Sequence, residues 1–236
     1  MIKQNFYIEN IPSVLWGKPE KKLIIAVHGN MSCKDDVPIE ILAKEAALKG
    51  YQVLSFDLPQ HGDRKNSDYP CSAQNCIRDI FAVANYAQTI SESISLFACS
   101  MGVYFSIISL RNFPLERCLF LSPVFDMERL IKTMMTEAGI GEERLRDEGE
   151  IKTNTGEIFS WNYYSHVQSH PAGRWDRPSF ILYGSKDTLV QKDEILDFAN
   201  RNHSRLDVMN GGEHYFHTKE QLKYLRLWLE NNISNP

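Results

Sequence analysis

Short runs of consecutive apolar residues alternate along the chain with longer stretches of helical period. KKLIIAVHG at 21–29 has an uninterrupted apolar centre, as a strand covered on both faces requires, and SISLFA at 93–98, CLFLSP at 118–123 and SFILYG at 179–184 read as strands too. YQVLSFDLP at 51–59 and SRLDVMN at 204–210 read as further strands, and NFYIEN with SVLWG as an antiparallel start. PIEILAKEAALKG at 38–50 is helical by period: Ile39, Leu42, Ala43, Ala46 and Ala47 share a face, and Gly50 supplies a stop. CSAQNCIRDIFAVANYAQTI, GVYFSIISLRNF, EILDFANRN and KEQLKYLRLWLENN read as further helices. This alternation predicts the α/β class, a mostly parallel central sheet of about eight strands flanked by helices.

The rhythm breaks once, between Asp126 and Trp175, where about 50 residues stand in place of a short crossover. Residues 1–125 and 176–236 therefore read as one body, and 126–175 as an insertion after the sixth strand. DMERLIKTMMTEAGI places Leu130, Ile131, Met134 and Met135 on one helical face, and IFSWNYYSHV brings Trp161, Tyr163 and Tyr164 close together. The charged stretch EERLRDEGE between them reads as a solvated helix face or a connection.

At 236 residues the chain fits one α/β domain, and 43% hydrophobic residues suffice for a full core. A net charge of −4 offers no field for a phosphate backbone, so nucleic acid is not an expected partner. No run reaches the roughly 20 apolar residues of a membrane span. MIKQNFYIEN lacks the apolar centre of a signal peptide, and a cytoplasmic location is the expectation. Five irregularly spaced cysteines, without a CxxC pair, read as free thiols. His166 and His170 are four apart, but no third ligand is near and Pro171 follows, so no metal is expected. Leu222, Leu225, Leu227 and Leu229 give the last helix an apolar stripe. Packing on the sheet accounts for that stripe, although a homodimer is compatible with it.

Candidate chemistry starts at LFACSMGVYF, where Ser100 directly follows an apolar strand and precedes a helical pattern. Such an elbow forces a strained backbone on the serine and needs small residues two positions before and after it. Ala98 and Gly102 are small, Ala98 replacing the more usual glycine. AVHGNMS, DLPQHGDR, ILYGSKDTLV and NGGEHYFH follow the ends of other strands. Together these segments resemble the α/β-hydrolase superfamily, in which the insertion forms a cap above the nucleophile. The resemblance implies Ser100 as nucleophile, Asp187 as acid and His214 as base, in the family's chain order. It also implies an oxyanion hole from the backbone N–H groups of Asn30 and Met101, and structural duty alone for Asp57 and His61. Met134, Met135 and Trp161 are the candidate walls of an acyl pocket, since methionine adapts to varied apolar groups.

The chemistry explains the grouping. A serine hydroxyl attacks only when an imidazole takes its proton, and the imidazole needs a carboxylate to hold its tautomer. Competitors are Asp126 for the acid, His217 for the base, and Cys99 as a thiol nucleophile, although a residue in Cys99's position packs away from the pocket as a small hydrophobe. The expectation is hydrolysis of a small-molecule carboxylic ester, by an acyl-enzyme and without cofactor. Thioesterase or acyltransferase chemistry uses the same groups, and a noncatalytic ligand-binding protein on this fold is the alternative from another class.

Overall fold

The structure is a computed structural model that describes residues 1–154 and 156–233. Thr155 and residues 234–236, which fall within the two expected ranges 126–175 and 176–236, lie outside it. Eight strands form one sheet: β1 (Lys3–Ile8), β2 (Ile11–Trp16), β3 (Lys22–Val27), β4 (Tyr51–Phe56), β5 (Ser93–Cys99), β6 (Cys118–Leu121), and two further strands at Ser179–Gly184 and Arg205–Met209. The two late strands are β9 and β10, because a small hairpin, β7 (Glu150–Lys152) and β8 (Ile158–Ser160), precedes them. The order is β1-β2-β4-β3-β5-β6-β9-β10. β2 runs antiparallel to both β1 and β4, and all pairs from β4 to β10 are parallel.

Strand alternation divides the core into two layers. Leu23, Ile25 and Val27 of β3 join one apolar cluster, while Ile24 and Ala26 join the other. β6 repeats the division, with Cys118 and Phe120 on the first side and Leu119 and Leu121 on the second. Every second side chain of a strand faces the same way, so continuous apolar runs mean two covered faces. Helices α1 (Val37–Leu48) and α8 (Lys219–Asn232) cover the second side. Helices α2 (Ala73–Ile90), α3 (Met101–Ser109) and α7 (Lys192–Arg201) cover the first. Leu225, Trp228 and Leu229 are the buried apolar positions of α8, whereas Leu227 is exposed.

Between β6 and β9 the chain folds into α4 (Met127–Glu137), α5 (Glu142–Glu148), the β7–β8 hairpin and α6 (Trp161–Ser169). EERLRDEGE proves to be helix α5, anchored by the fully buried Leu145 and closed at Gly149. The hairpin is not foreseen in the sequence, because strands of three residues carry no measurable period. Helix α3 stops at Ser109, short of the expected Phe113; Pro114 disfavours helical backbone at Phe113 itself.

Candidate active site

Ser100 sits at φ 52°, ψ −125°, between the last residue of β5 and the first of α3. A side chain at such angles is strained, and the turn is held by Ser100 N–H donating to Leu121 O and by Val103 and Val124 donating to Ser100 O. Gly102 has no alternative, because a Cβ there would collide with the carbonyl oxygen of His28. Ala98 is fully buried between Val27 and Phe120 of the neighbouring strands, so the position that departs from the usual glycine admits a methyl group.

The loops after β9 and β10 close on each other. Lys186 N–H donates to Gly212 O, and Ser185 N–H to Met209 O. A Cβ on Gly184 would lie 2.5 Å from the carbonyl carbon of Gly212, so glycine at 184 permits the approach. This closure brings Asp187 beside His214: Oδ2 is 2.7 Å from Nδ1. The Asp187 carboxylate is wholly buried, and its Oδ1 accepts the N–H groups of Leu189 and Val190. An ionised carboxylate only accepts, so Nδ1 of His214 carries the hydrogen and Nε2 presents a lone pair. Ser100 Oγ lies 2.9 Å from that Nε2. Ser100 and His214 are both partly exposed, within reach of a substrate.

The segment after β3 lies against the serine. A Cβ on Gly29 would be 3.0 Å from Cβ of Ser100, which puts the Gly29 backbone at the nucleophile and Asn30 next to it. Met101 begins α3, so its N–H has no acceptor one turn back. His28 is buried, donates through Nδ1 to Gly29 O and accepts the Leu58 N–H at Nε2. Burial pushes its pKa down to about 4, so it works as a neutral tie between the ends of β3 and β4. Asn30 Oδ1 is 3.2 Å from His61 Nε2, and His61 Nδ1 is 2.8 Å from Pro59 O. Asp57 is fully buried and accepts from the Lys34 N–H, the Lys34 ammonium and the Asp63 N–H. These contacts tie the loops after β3 and β4 together. The positioning of Asn30 by His61 is an addition that no spacing in the sequence announces.

The competing residues lie elsewhere. Asp126 is exposed and caps α4 by accepting the Arg129 N–H. His217 is exposed, stacked on Tyr215 and bonded to its carbonyl oxygen. Cys99 packs against the α1–α8 cluster, and burial pushes its thiol up to about 12. In the insertion Met135 is buried in the main cluster, with Met134 and Trp161 partly buried against it and the Arg146 guanidinium over the Trp161 ring. His166 and His170 stack at 4.0 Å, and no group of three or more metal-ligating side chains occurs among the described residues. No described helix is long and apolar enough to cross a membrane.

No family profile matches the sequence, and no curated protein does. Solved structures do match over nearly the whole chain. Est1E from Butyrivibrio proteoclasticus, with ferulic acid bound, is 17% identical with a TM-score of 0.78, over 97% of this chain and 96% of that one. Alpha/beta hydrolase domain-containing protein 10 from mouse is 15% identical with a TM-score of 0.76, over 98% of each chain. An esterase from Pyrococcus furiosus is 18% identical with a TM-score of 0.66, over 99% of this chain and 93% of that one. The chain has the α/β-hydrolase fold.

Proposed function

We propose that the protein is a serine hydrolase that cleaves carboxylic esters of small or medium acyl groups through a covalent acyl-enzyme. The observation that carries this reading is the continuous hydrogen-bonded path from Ser100 Oγ through His214 to the buried Asp187. His214 Nε2 takes the hydroxyl proton as Ser100 attacks the acyl carbon, and Asp187 favours the imidazolium that forms. The N–H groups of Met101 and Asn30 stabilise the oxyanion; loss of one such donor costs roughly 10²- to 10³-fold in rate. His214 then protonates the departing alkoxide, and water activated by the same imidazole releases the acid. Every step uses side chains and amides of this chain, so the reading needs no cofactor. The insertion from 126 to 175 acts as a cap, and Met134, Met135 and Trp161 contribute to the acyl wall. The fold's likeness to Est1E, solved with ferulic acid, a carboxylic acid of moderate size, supports the substrate class. We place the enzyme in the cytoplasm, acting on a small molecule.

Turnover of aryl esters of graded acyl length, measured beside matching acyl-CoA thioesters, tests the proposal. Ester turnover lost in Ser100→Ala is the expected result. A thioester preference above about tenfold would replace the ester reading with a thioesterase. A folded protein that turns over neither would be a binding protein.

A further inference from the structure

The turn after β4 and the first turn of α2 bring together two thiols that the proposed hydrolysis does not use. Ser72 is the N-cap of α2, its Oγ accepting the Asn75 N–H. Cys71 and Cys76 flank it at the two positions where a helix start normally holds a pair of packed apolar side chains. Here both members are cysteines, and their Sγ atoms are 3.7 Å apart. A disulfide needs about 2.05 Å, a closure of the kind side-chain rotation supplies.

The two thiols have unequal surroundings. Cys76 is fully buried, whereas Cys71 is partly exposed, with Cys76 Sγ as its sulfur's hydrogen-bonding neighbour. Hydrogen bonding with Cys76, then His61 and Arg64, hold the Cys71 thiol well below its ordinary range against the opposing effect of burial. Its hydrogen-bonded neighbour Cys76 is held well above it. Burial works against a charge on His61, but Cys71, the Pro59 carbonyl and Asp57 outweigh it and raise its pKa. An imidazolium also suits its two ring contacts, because Pro59 O and Asn30 Oδ1 are both acceptors. The other three cysteines are inert by the same criterion: burial pushes Cys33 up to about 11, and Cys99 and Cys118 up to about 12.

We propose that Cys71 and Cys76 are a peroxide-oxidisable dithiol, with Cys71 the attacking thiolate and Cys76 the resolving thiol. Cys71 sulfur attacks one oxygen of hydrogen peroxide; an S–O bond forms, the O–O bond breaks, and the departing hydroxide takes the His61 proton to become water. Cys76 sulfur then attacks the sulfenic sulfur, an S–S bond forms, the S–O bond breaks, and the hydroxyl leaves as a second water with the Cys76 proton. Two thiols are oxidised by two electrons and one peroxide is reduced to two waters. The product is a covalent staple at the start of α2, and it leaves His61, the partner of Asn30, without its thiolate.

Trypsin cleaves after Lys65 and Arg78, so a single peptide, 66–78, contains both cysteines. After brief exposure of the folded protein to hydrogen peroxide, that peptide loses about 2 Da and dithiothreitol restores it. In Cys76→Ser the same exposure leaves a sulfenic acid at Cys71 that dimedone captures, while Cys33, Cys99 and Cys118 stay unmodified. Peptide 66–78 of the wild-type protein left unchanged, or gaining oxygen without ever losing hydrogen, would overturn the proposal. The wild-type measurement decides the matter even where the variant fails to fold, and it is independent of ester turnover.

Discussion

Ser100 is held in a backbone conformation that costs a side chain about 1–3 kcal/mol, and only its Oγ, poised 2.9 Å from His214, benefits. Ser100→Gly therefore raises stability by about 1 kcal/mol in a denaturant titration while hydrolysis disappears. An unchanged or lowered midpoint would show that the elbow is not strained. The acid and base can be separated from their competitors in the same way. Asp187→Asn leaves the fold intact but lowers kcat by about 10⁴, because the amide permits the wrong tautomer of His214. His217→Ala, which removes an exposed ring, leaves kcat within about twofold. That Ser100, Asp187 and His214 would meet was legible in the sequence, because each stands shortly after an apolar run among glycines or other small residues. His61 and Lys34 were not legible in the same way, since their contacts with Asn30 and Asp57 join loops 31 and 23 positions apart. The downward shift of the Cys71 thiol was only half visible, because beyond its neighbour Cys76 it depends on His61 and Arg64 meeting the start of α2.

Helix α3 approaches the end of β3 so closely that residue 102 touches the His28 carbonyl, while Ala98 lies within the sheet. Gly102→Ala must push α3 away from β3. It is expected to cost about 2–3 kcal/mol in thermal unfolding and to lower ester turnover by 10-fold or more. Ala98→Gly, by contrast, costs at most about 1 kcal/mol and leaves activity within about threefold. Helix α7 holds the start of α4 through Glu194, whose carboxylate accepts the N–H groups of Phe125 and Asp126. Burial raises its pKa from the ordinary 4.5 to about 7. The folded state thus prefers the protonated acid, so its contribution is complete below about pH 4.5 and is lost as pH rises through 7. Glu194→Gln keeps the acceptor without the charge. Its stability relative to wild type rises by about 3 kcal/mol from pH 4.5 to pH 8, and a difference constant over that range would contradict the assignment. The body strands and helices were readable within a few residues because short continuous apolar runs and longer stretches of period 3.6 differ plainly. The β7–β8 hairpin was too short for either period to register, and α5 has one buried anchor, Leu145, where an amphipathic helix usually has several.

Parallel order makes the whole molecule one-sided. β3, β5, β9 and β10 run the same way, so Gly29 with Asn30, Ser100, Asp187 and His214 all follow the carboxyl ends of strands. Crevices outside those ends are where α/β sheets bind ligands, and the insertion between β6 and β9 leaves the sheet on the same side. Fold class was legible from strand count and spacing. The choice of acyl group was not, since Met134, Met135 and Trp161 also pack the insertion onto the body. The central claim is that His214, oriented by Asp187, makes the Ser100 hydroxyl a nucleophile. Labelling with a fluorophosphonate, followed by peptide mass mapping of wild type and His214→Ala, tests it most directly. The account predicts one adduct, on Ser100, formed rapidly in wild type and at least about 10³-fold more slowly in the variant. A folded wild-type protein that stays unlabelled, or that carries its adduct at another residue, would contradict it.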